Sequence, residues 1–366
     1  MQVQPAAIPN PPEFLELIPM RPDERLDPEK VGAFLADKLP VAGTPEILQF
    51  EGGKANLTYL LRYGSGPAPK EFVLRRPPLG PVAPSAHDMG REYRVLSVLY
   101  QAYPLAPRAY LYSEDLAVVG APFLVMERRT GIVIRQQIPG RYLGKPDLMR
   151  RMSGMIVDGL ADLHAVDAQA IGLEALGKPE GFMARQVKGW AGRWEGAKTM
   201  DVPLFYTVKD WLNANLPASP RTSLVHNDYK LDNMMVDADD PATCVAVFDW
   251  DMCTLGDPLA DLGTLLGYWT EPGDSEERTA FAVMPTTLPG WYTRREVVER
   301  YAGRSGTDVS SIRFYEVFAM WKSAVVIQQI YVRWHRGQTQ DERFQTYGTR
   351  ANALVAAAWD LAERGE

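Results

Sequence analysis

The sequence predicts an α+β chain in which a small, mostly β part is followed by a larger helical one. Short β-type runs separated by Gly- and Pro-containing loops fill residues 46–129, and from Lys145 onward apolar residues recur at helical spacing. Within the helical part, the stretch Leu224–Val236 places His, Asp and Asn in a polar loop between two apolar runs and reads as strand, loop, strand.

Residues 1–26 hold Pro5, Pro9, Pro11, Pro12, Pro19 and Pro22 and read as an irregular arm. Asp27-Pro28 then opens a helix with a preferred cap and first-turn residue, and Val31, Phe34, Leu35 and Leu39 give it an apolar face. Ile47–Phe50 and Leu57–Tyr63 form a hairpin around Glu51-Gly52-Gly53-Lys54-Ala55-Asn56. Missing side chains in that loop let backbone N–H groups approach phosphate oxygens, which makes Gly53 and Asn56 candidates for nucleotide contact. The loop matches neither G-x-G-x-x-G nor the Walker pattern, and Gly-Gly hairpins also occur with no ligand.

Phe72–Arg76 reads as the next strand, and His87–Leu99 as a helix with Tyr93, Leu96 and Leu99 near one face. Pro122–Arg129 is a buried strand running into a charged connector, and Thr130–Ile134 a short strand after it. Further on, Met149, Met152, Ile156, Leu160 and Leu163 mark the core face of a helix. Trp190, Trp194 and Trp211 lie on two more helices, as packing residues or, with Arg193 and its basic neighbours, as substrate contacts. Asp257-Pro258 caps another helix, and the last segment is rich in Arg, Trp and Tyr.

The polar loop carries the chemistry. His226, Asp228 and Asn233 stand at the offsets of the kinase pattern H-x-D-x-x-x-x-N, in which the Asp accepts the proton of the attacking hydroxyl and the Asn holds magnesium. Downstream, Cys244–Phe248 delivers Asp249, where kinases place the Asp that grips the metal bridging the phosphates. The two apolar runs can pair across the turn 237–241, which would bring Asn233 and Asp249 together. An H-x-D or a strand-end Asp alone is often solvated decoration; the ordered set is what points to phosphoryl transfer.

His226-Asn227-Asp228 with Asn233, Phe248-Asp249-Trp250-Asp251 and Gly256-Asp257-Pro258-Leu259-Ala260-Asp261-Leu262 resemble the aminoglycoside phosphotransferase and choline kinase superfamily. Within it, the chain resembles the kinase-like domain fused to some acyl-CoA dehydrogenases, over roughly residues 25–350. The resemblance implies a protein-kinase-like two-lobed fold: a mainly antiparallel β lobe at 27–129 that binds nucleotide, and a helical lobe at 130–366 with the catalytic loop, metal site and acceptor site. It implies ATP and Mg2+ as cofactors and a small-molecule hydroxyl as acceptor, with a hydroxyacyl-CoA or hydroxy acid among the choices. Arg75 then stands where the superfamily carries a phosphate-binding lysine, Glu92 is its acidic partner, and Glu127 and Arg128 sit at the adenine-binding hinge. Asp228 is the base, Asn233 and Asp249 are metal ligands, and His226, His164 and Asp261 support the loop. Arg75 departs from the lysine and, being bulkier and planar, puts nucleotide geometry in question. If the acceptor is anionic, Arg333 and Arg336 are substrate candidates, with Trp269 from earlier in the same C-terminal segment.

A formal charge of −7 and a pI near 5.4 give no support to a nucleic-acid footprint. Cys244 and Cys253 belong to no zinc pattern and are expected reduced and packed. No signal-peptide pattern opens the chain and no apolar run is long enough to span a bilayer, so a cytoplasmic protein without a membrane partner is expected. Two other classes stay open: a haloacid-dehalogenase-like phosphatase using Asp249-Trp250-Asp251, and a catalytically silent nucleotide-binding module prompted by Arg75. Against the phosphatase, only 115 residues follow Asp251, and they read as helical.

Overall fold

The computed structural model describes residues 17–51, 56–78, 88–279 and 282–364. The chain packs as two compact units: the part up to Leu143 together with Asn233–Cys253, and Gly144–Asp232 together with the part from Thr254 on.

In the first unit, β1 (Leu17–Ile18), β2 (Glu46–Phe50), β3 (Leu57–Tyr63), β4 (Lys70–Arg76), β5 (Ala109–Ser113) and β6 (Phe123–Glu127) form one antiparallel sheet, in the order β1-β2-β3-β4-β6-β5. Three helices accompany it, α1 (Pro28–Ala36), α2 (Met89–Leu99) and α3 (Leu116–Val119). Asp27 caps α1, accepting from the amides of Glu29 and Lys30, and Val31 and Leu35 of that helix pack with Tyr59, Leu61, Leu74, Phe123 and Val125. Because strand side chains alternate, the two arginines that end β4 point to opposite faces. Arg76 is buried in the α1 side, donating to Tyr59 Oη and Glu24 O, both at 3.0 Å. Arg75 is thereby turned toward α2.

The chain enters the second unit through α4 (Pro146–His164), α5 (Phe182–Ala197), α6 (Pro203–Ala214) and β7 (Ser223–Val225). It leaves between Asp232 and Asn233 to form the hairpin of β8 (Met234–Val236) and β9 (Cys244–Val247), which packs with the first unit. It returns for β10 (Thr254–Gly256), α7 (Pro258–Tyr268), α8 (Glu276–Thr279), α9 (Arg294–Ser305), α10 (Ile312–His335) and α11 (Tyr347–Arg364). β10 pairs antiparallel with β7, so the strand entering the polar loop and the strand entering α7 are held side by side. Helices α7 and α10 cross closely: a Cβ on Gly263 would lie 2.5 Å from the Tyr315 side chain. Trp194, Phe205 and Trp321 stack in the core, with centroid separations of 4.2 and 4.7 Å. Among the described residues no helix is long and apolar enough to cross a membrane.

Three expectations are modified. The described end of the arm is built into the sheet: Leu17 and Ile18 extend it as an edge strand, and Glu24 O receives Tyr59 Oη at 2.7 Å because that buried hydroxyl needs an acceptor. Thr130–Ile134 makes no strand; Ile132 forms an isolated bridge to Val236, where Gly131 is required because a Cβ would meet Val236 O at 2.4 Å. The hairpin that follows the polar loop packs with the β-rich unit, although it lies inside the sequence range expected for the helical lobe.

Candidate active site

In the second unit, β7 runs into the loop at His226, which is fully buried. The amides of His226 and Asn227 donate to the two oxygens of Asp261, at 2.5 and 2.7 Å. His164 Nε2 lies 3.3 Å from the same carboxylate, and its Nδ1 lies 2.7 Å from Tyr301 Oη. Burial by itself pushes the Asp261 carboxyl up, but the bonds from His164 and the loop amide outweigh it and hold it below the ordinary carboxylate range. The Asp228 amide donates to His226 Nδ1 at 3.3 Å, and Asn227 between them takes a left-handed φ of 68°.

The Asp228 carboxylate is thus presented by a braced loop and gripped at both oxygens. Tyr268 Oη donates to Oδ1 at 2.9 Å, and the Lys230 ammonium contacts Oδ2. Burial, reinforced by Asp228, pushes the Tyr268 phenol well above its ordinary pKa, so it stays protonated and donates.

In the first unit, Arg75 donates to Glu92 Oε1 through Nη1 and to Asp249 Oδ1 through Nη2, the latter at 2.6 Å. Glu92 is buried and its Oε2 has no hydrogen-bond partner. Burial holds its carboxyl above the ordinary range against the pull of Arg75, and Asp249 and Asp251 add to the effect. Phe248 N donates to Asn233 O at 2.8 Å, so the hairpin seats Asn233 beside the residue preceding Asp249, as the pairing of the two runs predicts. Asp249 has a φ of 72°; it and Asn227 are the non-glycine residues with positive φ among those described, and strain of this kind gathers where a fold fixes functional groups. The turn is anchored by Trp250, fully buried, whose indole donates to Val247 O at 2.7 Å.

The donor set suits magnesium. That ion takes oxygen ligands and is held by one or two carboxylates with the remainder from phosphate and water, so it needs no dedicated acidic cage. Among the described residues no group of three His, Cys, Asp or Glu stands together as a cage, while the Asp249 side chain is 33% exposed and open to a ligand. Asn233 and Asp249 are the residues that would hold it.

Gly53 lies outside the described residues, and Asn56 is buried at the start of β3. At the end of β6 the Glu127 amide is already committed to Arg108 O at 2.8 Å, and Arg128 lies over the Phe50 ring at 5.1 Å. Trp269 must be withdrawn as a substrate contact: it is fully buried, edge-on to Trp291, with its indole donating to Tyr292 O at 2.7 Å. Arg333 and Arg336 are exposed near the C-terminal end of α10. At 1.5 Å per residue they lie roughly 16–21 Å along the helix from Lys322, the residue of α10 that meets the loop. Cys244 and Cys253 are free thiols, and burial pushes the Cys244 thiol up to about 12.

Three residues at the loop carried no sequence-derived role: Tyr268, Lys230 and Lys322. Tyr268 follows Asp261 by seven residues, two turns along one face of α7, so the face that braces the loop also reaches Asp228. Lys322 is a lone charge inside the apolar run Val317–Ile327, a pattern that marks a buried charge.

Residues 46–297 match the profile of the phosphotransferase enzyme family. Acyl-CoA dehydrogenase family member 10 of Mus musculus is 32% identical over 325 residues, covering 88% of this chain and 30% of the mouse protein. The chain therefore spans about a third of that relative, and under half of the family member 11 protein of Pongo abelii. A Ralstonia eutropha structure described as an aminoglycoside phosphotransferase is 29% identical, covers 93% of this chain and 99% of its own, and superposes with a TM-score of 0.78. Choline kinase of Cryptosporidium parvum shares the fold at a TM-score of 0.62 and 11% identity, covering 93% of this chain and 97% of its own. The kinase-like α+β fold leaves the dehalogenase-like reading without its scaffold. Among the described residues, the segment after Asp251 is helical apart from β10, which pairs with β7 and builds no alternating strand–helix domain.

Proposed function

Because the chain belongs to the phosphotransferase enzyme family, we propose that it moves the γ-phosphoryl group of ATP, with Mg2+, to a hydroxyl of a small molecule. The observation that carries this reading is the grip on Asp228: a carboxylate at the base position, oriented through one oxygen by a protonated phenol and through the other by an ammonium.

Asp228 orients the acceptor hydroxyl and takes its proton as the hydroxyl oxygen bonds to the γ-phosphorus and the bond to the ADP oxygen breaks. Asn233 and Asp249 would hold magnesium, which when bound would neutralise phosphate charge. Arg75 supplies the cation usually given by lysine, and its fork lets Glu92 keep one arm while the other serves phosphate or Asp249. Asp261 and His164 keep the loop from relaxing, so little reorganisation is needed at the moment of transfer.

The acceptor is a hydroxyacyl-CoA or a hydroxy acid, in keeping with the acyl-CoA dehydrogenase relatives. Arg300 and Arg343 do not support this choice, since each is paired with a neighbouring carboxylate, Asp158 at 2.7 Å and Asp341 respectively. The test is ADP release from MgATP across hydroxyacyl-CoAs, hydroxy acids, choline-like amines and aminoglycosides, with mass spectrometry of the products. A phosphorylated hydroxy acid or its thioester is expected. MgATP binding with no phosphorylated product from any class would instead favour a silent module.

A further inference from the structure

Helix α10 is largely buried, and among its buried residues Lys322 alone is charged. It is 7% exposed, and its ammonium donates to Asn227 O at 2.8 Å, the carbonyl just before Asp228. The ammonium also lies 5.6 Å from the centre of the Trp190 ring, over which Arg193 sits at 4.2 Å. No carboxylate pairs with Lys322 among the described residues, although Asp228 and Asp261 are both close enough to act on it, as are Lys230 and Arg193.

Both nearby carboxylates are already taken. Asp261 receives the loop amides and faces His164, and Asp228 receives Tyr268 and Lys230. Lys322 has three donors and one protein acceptor, so two N–H groups remain without a protein partner beside the residue that faces the reacting hydroxyl. A buried ammonium without an ion pair is unfavourable, and burial pulls its pKa down accordingly. The loop carbonyl alone does not account for it, because a neutral donor would serve that bond without burying a charge.

Resting on the reading of Asp228 as the base, we propose that Lys322 binds a carboxylate carried on the same short chain as the acceptor hydroxyl, with the Trp190 ring flanking the site and Arg193 at its outer edge. The enzyme then selects hydroxy acids over neutral or cationic alcohols, and over thioesters whose carbonyl is uncharged. The same contact holds the Asn227 carbonyl, so acceptor binding and loop geometry share one residue.

The test is titration calorimetry on the full chain with MgADP present, using hydroxypropanoate through hydroxyhexanoate, their matched diols and amino alcohols, and one hydroxyacyl-CoA. At least one hydroxy acid should bind about tenfold or more tightly than its diol. Lys322→Met should erase that preference and Lys322→Arg should keep most of it, with MgADP affinity unchanged in both. If Lys322→Met does not fold, Lys322→Gln gives the same comparison. A wild type that prefers no hydroxy acid over its diol, or a neutral variant that keeps the preference, overturns the proposal, as does tighter binding of the thioester. Failure of wild-type protein to bind MgADP would instead strike the phosphotransferase reading beneath it.

Discussion

Glu92 in the β-rich unit and Asp261 in the helical unit are both buried almost completely, and their surroundings treat them in opposite ways. Asp261, in the helical unit, accepts two backbone amides and faces a histidine, and is held below its ordinary pKa. Glu92, in the β-rich unit, accepts from Arg75 alone, leaves Oε2 unpartnered, and is held above its ordinary pKa. Burial is nearly the same, so the surroundings decide the sign: the bonds and charge of His164 and the loop outweigh burial at Asp261, whereas at Glu92 the pull of Arg75 does not overcome burial reinforced by Asp249 and Asp251. A saturated carboxylate is a brace, and the loop it holds carries Asp228, the proposed base. A half-satisfied one can exchange partners, which suits the proposed role of Arg75 in meeting phosphate.

Removing the brace should cost most. Asp261→Asn puts an amide N–H against loop amides that need acceptors, and should lower the unfolding free energy by about 3 kcal/mol in urea titrations while abolishing turnover. The effect carries a pH signature. Asp261 has a folded pKa below its reference of 3.8, so its stabilisation is fully present above that value and is lost as pH falls through the folded pKa. The gap between wild type and variant should therefore be flat near neutrality and close in acid. A variant as stable as wild type near neutrality would break the contrast at its stronger side.

Tyr268→Phe comes next: losing one charge-assisted bond to Asp228 should reduce kcat about tenfold, roughly 1.5 kcal/mol, with little change in MgADP affinity. Glu92→Gln should leave stability near neutrality unchanged or raise it by up to about 1 kcal/mol, because it removes a half-satisfied buried charge. Its pH course is the reverse of Asp261's: a raised folded pKa leaves stability intact below the reference of 4.5 and lowers it as pH rises through the folded value, so the variant should gain on wild type as pH increases. Nucleotide affinity should fall in the same variant, because Arg75 loses its fixed partner. Smallest is Arg304→Ala. Its ion pair with Asp162 joins side chains 46% and 50% exposed, and the loss should stay under about 0.5 kcal/mol by thermal unfolding.

The fold class and the spine of the site were legible because they rest on local signals. The β-rich segment, the cap of α7 at Asp257-Pro258 and the hairpin that sets Asn233 beside Phe248 follow from periodicity, turn chemistry and motif spacing, while the pairing of Arg75 with Glu92 follows from the family resemblance. Residues whose roles depend on tertiary packing were not legible in the same way. Trp269 sits next to Tyr268 in sequence, yet one is locked into the core by Tyr292 O and the other reaches Asp228. Arg333 and Arg336 stand out in sequence as charges in an aromatic segment, whereas the charge α10 brings to the loop is Lys322, set among apolar neighbours. Periodicity told which face was buried; it did not tell which buried charge had a task.

The role of Asp228 is tested most directly by following phosphoryl transfer from γ-labelled MgATP to the acceptor panel, comparing wild type with Asp228→Asn at matched MgADP affinity. A phosphorylated hydroxyl is expected in wild type, with a loss of roughly a hundredfold or more in kcat for the variant. Transfer by Asp228→Asn at a rate close to wild type would contradict that role, because the carboxylate gripped by Tyr268 and Lys230 would then not be the group that receives the proton.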